Sequence, residues 1–219
     1  MSYEKYERIA PLYDVLDKAY EVSWKRRLRN DVFRDADGLI LDAGAGTGCN
    51  IPFYPRNARV IGVDNSPGML VRARKRAAKE GVRAEFLEMD LTRTRFPDDH
   101  FDVIAATFVF CVLPEELQLP VLREMRRICK PTGTIRILDY TMSKKAPVRL
   151  MMRVVSPWLN FAFAARYTAQ YESYLPEARL APVRNDFVMG DVVKLLVLSP
   201  EGKQGGDVSQ REIAALRRG

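Results

Sequence analysis

Short apolar runs in this chain end on acidic or small residues. Gly38 to Leu41 drives into Asp42-Ala43-Gly44-Ala45-Gly46-Thr47-Gly48, and Arg59-Val60-Ile61-Gly62-Val63 ends on Asp64. Runs of this length with turn residues beside them predict buried strands. Ser66-Pro67 then supplies an N-cap and a first-turn proline for a helix that stops before Gly81, and its basic stretch, Arg72 to Lys79, reads as a solvated face. Near the far end, Ala181 to Phe187 and Asp191 to Leu198 flank Met189-Gly190 and predict a hairpin. Strands alternating with helical stretches predict an α/β fold, a mostly parallel sheet with helices on both faces.

Two segments outside that alternation have helical spacing. Tyr6, Ile9, Tyr13, Leu16, Tyr20, Trp24 and Leu28 recur every three or four residues beside Lys25-Arg26-Arg27 and Arg29. Such a stripe serves plain packing on the core as well as a helical lid. Between Lys144 and Arg166, Pro147 and Ser156-Pro157 mark two helix starts, so two short helices are expected there. They mix Met, Val, Trp, Leu and Phe with cations. Arg153, Pro157 and Asn160 argue against a bilayer-crossing helix, which leaves a membrane-surface element or a packed one. A Gly-rich link after Pro200 and a short basic helix near Ser209, with Glu212 placed for a capping box, receive no chemistry.

At 219 residues and 47% hydrophobic content the chain fits one soluble domain, with no apolar run of spanning length. Glu4, Lys5, Glu7 and Arg8 charge the stretch from Tyr3 to Arg8, unlike a secretion signal, and Cys49, Cys111 and Cys129 show neither metal nor redox spacing. A reduced, cytoplasmic setting without a metal site is expected. The net charge of +7 favours an anionic partner. No nucleic-acid module is evident, so nucleic acid is not expected, and the apolar insert suits an anionic membrane surface better.

The glycine loop narrows the ligand. Its spacing is G-x-G-x-G rather than the G-x-G-x-x-G of phosphate-binding loops, and Asp42, two residues before the first glycine, repels an anion but tolerates a cation. Asp64, roughly twenty residues past the loop, is placed to accept both ribose hydroxyls. The two acids suit a positively charged nucleoside without phosphate; a plain glycine turn is the alternative for the loop alone. These residues resemble the class I S-adenosylmethionine-dependent methyltransferases, whose first motif matches Leu41 to Gly48. Glu85 to Met89 followed by Asp90-Leu91 looks like that family's third strand and adenine-binding acid, and Phe101 to Phe108 like its fourth strand. Leu122 to Gly133 looks like its next helix and turn, with Thr132 departing from the usual proline-glycine-glycine.

The resemblance implies a Rossmann-like fold with the hairpin as an antiparallel edge, and S-adenosyl-L-methionine as cofactor. It implies a donor site at Tyr6, Asp42, Gly44, Ala45, Gly46, Thr47, Gly48, Asp64, Asn65, Met69, Asp90, Leu91, Thr107 and Phe108. The whole chain reads as one methyltransferase domain: a helical lid over 1–36, the cofactor core over 37–140, an acceptor- and membrane-facing insert over 141–178, the edge hairpin over 179–199 and a tail over 200–219.

The tyrosine-rich start, Thr107-Phe108-Val109-Phe110-Cys111 and the basic apolar insert further resemble the soluble bacterial phosphatidylethanolamine N-methyltransferases, themselves similar to quinone-biosynthesis C-methyltransferases. This implies a phospholipid substrate methylated at the inner face of the membrane. Methyl transfer is an in-line displacement, so the enzyme mainly aligns nucleophile, methyl and sulfur in a dry site. An ethanolamine amine, with a pKa of about 10, must lose a proton first, which desolvation promotes. Its later forms lack N–H donors, so cation–π faces are expected, with Tyr13, Tyr140, Tyr167, Tyr171 and Tyr174 as catalytic candidates. Lys144, Lys145, Arg149, Arg153 and Arg166, with Trp158, are the candidates for phosphate and membrane contact. Quinol C-methylation gains from a general base, most often histidine. The single histidine, His100, precedes the fourth strand, away from the ligand edge. A carboxylate or tyrosine base keeps the quinone reading open, as do another lipophilic acceptor and a non-enzymatic nucleotide- or membrane-binding domain.

Overall fold

The strands foreseen from the apolar runs form one sheet. The computed structural model describes residues 25–163 and 170–202, with side chains throughout except over 155–163. Tyr6, Tyr13, Arg166 and Tyr167 lie outside the described residues, as do the Trp158 side chain, the aromatic stripe up to Trp24 and the tail from 203. In chain order the elements are α1 (Arg26–Phe33), β1 (Leu39–Ala43), β2 (Arg59–Asp64), α2 (Pro67–Glu80), β3 (Glu85–Glu88), β4 (Phe101–Thr107), α3 (Glu115–Ile128), β5 (Cys129–Tyr140), α4 (Ala146–Phe163), β6 (Leu180–Met189) and β7 (Val193–Pro200). The sheet order is β3-β2-β1-β4-β5-β7-β6. β1 to β5 pair in parallel, whereas β7 runs antiparallel to β5 and to β6, which makes the hairpin the sheet edge.

The two-residue period of the strands sorts the core into two layers. Leu41, Ala43, Ile61, Val63, Ile104, Ala106, Ile135 and Ile137 pack with Val121, Leu122, Met125 and Ile128 of α3. Ile40, Val60, Val103, Ala105 and Leu138 face the other way, onto Leu28, Val32 and Phe33 of α1 and Leu70, Ala73 and Ala77 of α2. Helices therefore cover both faces, as a parallel sheet buried on both sides requires. β1 lies between β2 and β4, so the connections leaving β1 and β4 diverge and open a crevice at the carboxyl ends of the strands.

The caps of α2 follow the sequence signals. Ser66 Oγ accepts from Met69 N at 3.3 Å, Pro67 opens the first turn, and Gly81 at φ +65° closes the helix. Two expectations change. The helix over Ala146–Phe163 is continuous through Ser156-Pro157 rather than two short helices. Pro157 withdraws one backbone N–H from the ladder, and in a helix of 18 residues the remaining bonds carry the chain past it. The expected turn at Pro131-Thr132-Gly133 is instead an excursion within β5. Cys129 pairs with Phe101 and Thr134 with Val103, so four residues of β5 bulge opposite Asp102 alone.

The strand–helix register on the α1 side is fixed by a buried cation. Arg136, in the middle of β5, donates from Nη1 to the Val32 carbonyl at 2.9 Å and the Arg34 carbonyl at 2.6 Å, partnering the last turn of α1. Replacing Arg136 by Met leaves those carbonyls buried without that donor, so unfolding by urea is expected to show a loss of about 1–3 kcal/mol at unchanged slope. A loss below about 0.5 kcal/mol would show that α1 is held by its apolar face alone.

Candidate active site

Beyond β1 the main chain must turn sharply beneath the crevice, and glycine permits it. Gly44 has φ +74°, and a Cβ there would stand 2.6 Å from Val109 Cγ2; Gly48, at φ +81°, would meet the Ile51 side chain and Ala73 Cα. Gly44 N and Ala45 N both donate to the Val63 carbonyl, at 2.8 and 2.9 Å, which ties the end of β1 to the end of β2. Asp64 completes the tie: Oδ2 accepts from Gly46 N at 2.9 Å and Oδ1 from Ser66 N at 2.9 Å. Burial raises its carboxyl above the ordinary range while the backbone donors at Ser66, Gly46 and Asn65 pull the other way. The loop then runs through tight turns into a short 3-10 stretch, Ile51–Phe53. It presents bare backbone to the crevice rather than the start of a long α-helix, unlike a phosphate loop.

A cavity of about 410 Å³ opens there, a size suited to a small molecule. It gathers Gly44, Ala45, Gly46 and Thr47 of the loop, Asp64 and Asn65 at the end of β2, Met69 of α2, Asp90 and Leu91 after β3, and Thr107 and Phe108 at the end of β4. Asp90, exposed, holds Thr92 through its backbone N–H and hydroxyl, both at 2.8 Å. Val109, Val112, Leu113 and Leu117 form an apolar wall.

Asp42 and Gly48 do not line the cavity. Asp42 shares the strand parity of Ile40, which turns its side chain toward the α1 and α2 layer, where it is fully buried. Asn50 Nδ2 donates to it at 2.8 Å and the Tyr54 hydroxyl at 2.5 Å. Burial pushes its carboxyl up to about 6, opposed by those two hydrogen bonds and by the charge of Arg29. The acid expected at the mouth is therefore part of a polar layer beneath it. Gly48 serves the packing of the loop on Ile51 and Ala73.

The same layer brings in residues that the motifs did not reveal. Arg29 Nη1 donates to Asn50 Oδ1 at 2.7 Å and to Thr107 Oγ1 at 2.6 Å, and Asn50 Nδ2 reaches Thr107 Oγ1 at 2.9 Å. Arg29, Lys25 and Asn50 all line the cavity, with Lys25 only 8% and Arg29 6% exposed. Lys25 Nζ lies 4.9 Å and Arg29 Cζ 5.2 Å from the centre of the Phe108 ring. Phe108 has φ +56°, a costly backbone for an aromatic residue, at the crevice edge of β4.

The described tyrosines stand elsewhere. Tyr140 is buried against Phe108 at 5.2 Å between ring centres, in the layer under α1. Tyr171 is fully buried against Phe110 at 4.8 Å, on the α3 side of the sheet, its hydroxyl without a hydrogen-bond partner among the described residues. The Tyr174 hydroxyl bonds Glu115 Oε1 at 3.2 Å. None of the three lines the cavity, because each ring is taken up by packing or by α3. Asp139, buried at the end of β5, accepts from Phe110 N at 2.7 Å, Cys111 N at 3.3 Å and Tyr140 N at 2.7 Å, and burial pushes it up to about 6. His100 stacks on Phe96 at the amino edge of β4, where the sequence places it. In the insert, Lys144, Lys145 and Arg153 are exposed and Arg149 is half-buried, its Nη1 donating to the Lys144 carbonyl at 3.2 Å.

Comparison with known proteins agrees with this architecture. Residues 40–133 match the family described as a methyltransferase domain. A demethylmenaquinone methyltransferase of Thermus thermophilus is 30% identical over 184 residues, covering 79% of this chain and 82% of that protein. A phosphatidylethanolamine N-methyltransferase of Cereibacter sphaeroides is 33% identical over 125 residues, covering 56% of this chain and 61% of that protein, so the match spans less than two thirds of that relative. The crystal structure of an S-adenosylmethionine-dependent methyltransferase from Aquifex aeolicus superposes with a TM-score of 0.58 at 20% identity, covering 83% of this chain and 92% of that one. The chain belongs to the S-adenosylmethionine-dependent methyltransferases of class I. Its methyl donor is S-adenosylmethionine, and its sheet is the Rossmann-like sheet of that class. Among the described residues no helix is long and apolar enough to cross a membrane.

Asp42 and Asp139 have a measurable signature. Both are raised from 3.8, so the folded chain holds their protons more tightly than the unfolded chain does. Their contribution to stability is complete below pH 3.8 and is lost as pH rises through about 6. Carboxyl-carbon NMR is expected to give both a midpoint near pH 6, and midpoints near 4 would show that water reaches them.

Proposed function

We propose that this methyltransferase acts on a lipid at a membrane surface, N-methylating phosphatidylethanolamine and its mono- and dimethyl derivatives toward phosphatidylcholine. One observation carries the lipid assignment. On α4, Leu150, Met151 and Val154 are 64%, 59% and 70% exposed beside exposed Arg153, and exposed Lys144 and Lys145 immediately precede the helix. Exposed apolar side chains among cations suit the boundary between acyl chains and anionic head groups, where each cation contributes about 1 kcal/mol. α4 begins six residues after β5 ends on Tyr140, at the carboxyl edge of the sheet to which the donor cavity also opens. The name of the Cereibacter relative supports the head group.

In this reading Asp64 would take the donor's ribose hydroxyls, Asp90 and Leu91 would hold its adenine, and Gly44 to Thr47 would carry its methionine end. The reacting amine would give its proton to water before it packs against the apolar wall of Val109, Val112 and Leu113, and S-adenosylmethionine, when bound, would supply the electrophilic methyl and leave as neutral S-adenosylhomocysteine. The protein's part is alignment and exclusion of water, and the chemistry asks for no covalent intermediate. A second reading, C-methylation of a quinol, is favoured by the longer span of the Thermus relative, 79% of this chain. A quinol with a prenyl tail would use the same α4 surface.

Labelled S-adenosylmethionine offered with phosphatidylethanolamine vesicles or with a demethylated menaquinol separates the two. Label in the phospholipid is expected, and label in the quinol alone would replace the first reading by the second. Replacing Lys144, Lys145, Arg149 and Arg153 by Glu is expected to abolish co-sedimentation with anionic vesicles while leaving S-adenosylhomocysteine affinity within about twofold; raising salt should act likewise. Asp64→Ala should do the converse, weakening S-adenosylhomocysteine about 100-fold through loss of two charge-assisted hydrogen bonds while vesicle binding persists. Parallel loss of both properties in either variant would contradict separate donor and membrane surfaces.

A further inference from the structure

We infer that Asp139 and Gln118 are positioning residues for the acceptor: they grip the loop after β4 from behind and so fix the surface on which the methyl acceptor packs. The inference rests on the cavity being the site of methyl transfer and holds for an amine or a quinol acceptor. Val109, Val112 and Leu113, the apolar wall of the cavity, all lie on the loop from Phe108 to Leu113. That loop belongs to neither β4 nor α3, so its shape depends on where its main-chain groups find partners.

The donor-side end of the loop is held by the sheet. Phe108 N donates to the Leu138 carbonyl at 2.8 Å, and Val109 packs so closely on Gly44 that a Cβ there would collide with it. Val112 N and Leu113 N turn back to the Val109 carbonyl, both at 3.1 Å. The middle is held by two buried side chains that do not line the cavity. Asp139 Oδ2 accepts from Phe110 N at 2.7 Å and Cys111 N at 3.3 Å. Gln118 Nε2, on α3, donates to the carbonyls of Phe110 and Leu113 at 3.4 and 3.5 Å. One carboxyl thus takes the loop's donors and one amide its acceptors, which leaves the apolar side chains of Val109, Val112 and Leu113 to face the cavity.

Both grips also reach the segment that covers the crevice. Asp139 Oδ1 accepts from Tyr140 N at 2.7 Å, at the end of β5 where the segment leading into α4 departs. Gln118 Oε1 accepts from Gln170 N at 3.1 Å, beside the short 3-10 stretch Tyr171–Tyr174 that follows α4. The Thr141 hydroxyl donates to Glu172 Oε1 at 3.1 Å and clasps the departing and returning stretches together. The wall is therefore fastened to both feet of the cover. Where the cover sits is passed to the surface that receives the acceptor.

Acceptor kinetics read beside S-adenosylhomocysteine calorimetry test this. Asp139→Asn keeps the shape but turns an NH2 group on main-chain donors, and Gln118→Met keeps the length but loses all three bonds. The acceptors are phosphatidylethanolamine vesicles and, separately, a demethylated menaquinol. Both variants are expected to raise the acceptor KM at least about 10-fold and to lower kcat/KM about 100-fold. S-adenosylhomocysteine affinity should stay within about threefold, because Val109 remains seated on Gly44. Asp102→Asn, which breaks the Lys130 ion pair and the bond from Leu39 N at the amino edge of the sheet, should lower the unfolding midpoint and leave the acceptor KM unchanged. An unchanged acceptor KM in Asp139→Asn and Gln118→Met, whatever kcat does, would overturn the inference and leave the pair a role in stability alone. A parallel loss of S-adenosylhomocysteine affinity would also overturn it, by moving the effect to the donor. Label in the quinol alone would replace the phospholipid reading, while the KM comparison, made on the quinol, still decides the inference. A wild-type protein that methylates neither acceptor would withdraw both. Should Asp139→Asn fail to fold, Gln118→Met decides.

Discussion

The ends of β1 and β2 are locked together by main-chain groups, and the rest of the site follows from that lock. The Val63 carbonyl takes N–H groups from both Gly44 and Ala45, and the Asp64 carboxylate takes those of Gly46 and Ser66. Four backbone donors at the mouth of the crevice are thereby committed to β2. The loop cannot offer its three, Gly44, Ala45 and Gly46, as an anion cradle; it offers a smooth backbone floor with an acid at one side. Asp64 consequently does two jobs with one group, since the carboxylate that shapes the loop is also the one facing the cavity.

Much of this was legible because it depends on local pattern. Apolar runs ending on Asp42 and Asp64, the Ser66-Pro67 cap and the Gly190 turn each carry their own structural instruction, and the strands and α2 lie where those signals put them. The period of the strand also contained the information that Asp42 turns inward with Ile40, but the motif drew attention to its charge rather than its parity. Lys25 and Arg29 were harder to place. Cations on an amphipathic helix ordinarily face water, and among the described residues Arg29 is drawn in by Asn50 and Thr107 and both cations by the Phe108 ring. Tyr140 and Tyr171 stand away from the cavity for a related reason: an aromatic ring near the ligand edge has favourable core packing open to it, and these two take that course on Phe108 and Phe110.

The acceptor is the least legible part because the fold leaves it free. The sheet fixes where the donor's atoms lie, and a displacement at a sulfonium asks for alignment and dryness rather than for a diagnostic nucleophile or base. Selectivity then belongs to what covers the crevice. In this chain that cover begins with α1 on one side and the segment from Thr141 into α4 on the other. The second combines the Ser143–Asp191 hydrogen bond at 2.6 Å, which ties its start to the edge hairpin, with exposed Leu150, Met151 and Val154 beside Arg153.

Charge balance links these two covers. S-adenosylmethionine carries two positive groups and one negative, and it enters a cavity whose acids, Asp64 and Asp90, are partly offset by Lys25 and Arg29. The donor therefore brings one net positive charge into the crevice, and its sulfonium lies at the reacting end. Together with the apolar wall of Val109, Val112 and Leu113, that charge disfavours a cationic nucleophile and favours one that arrives neutral or anionic, so the site selects the reactive protonation state of its acceptor by field and dryness rather than by a dedicated base.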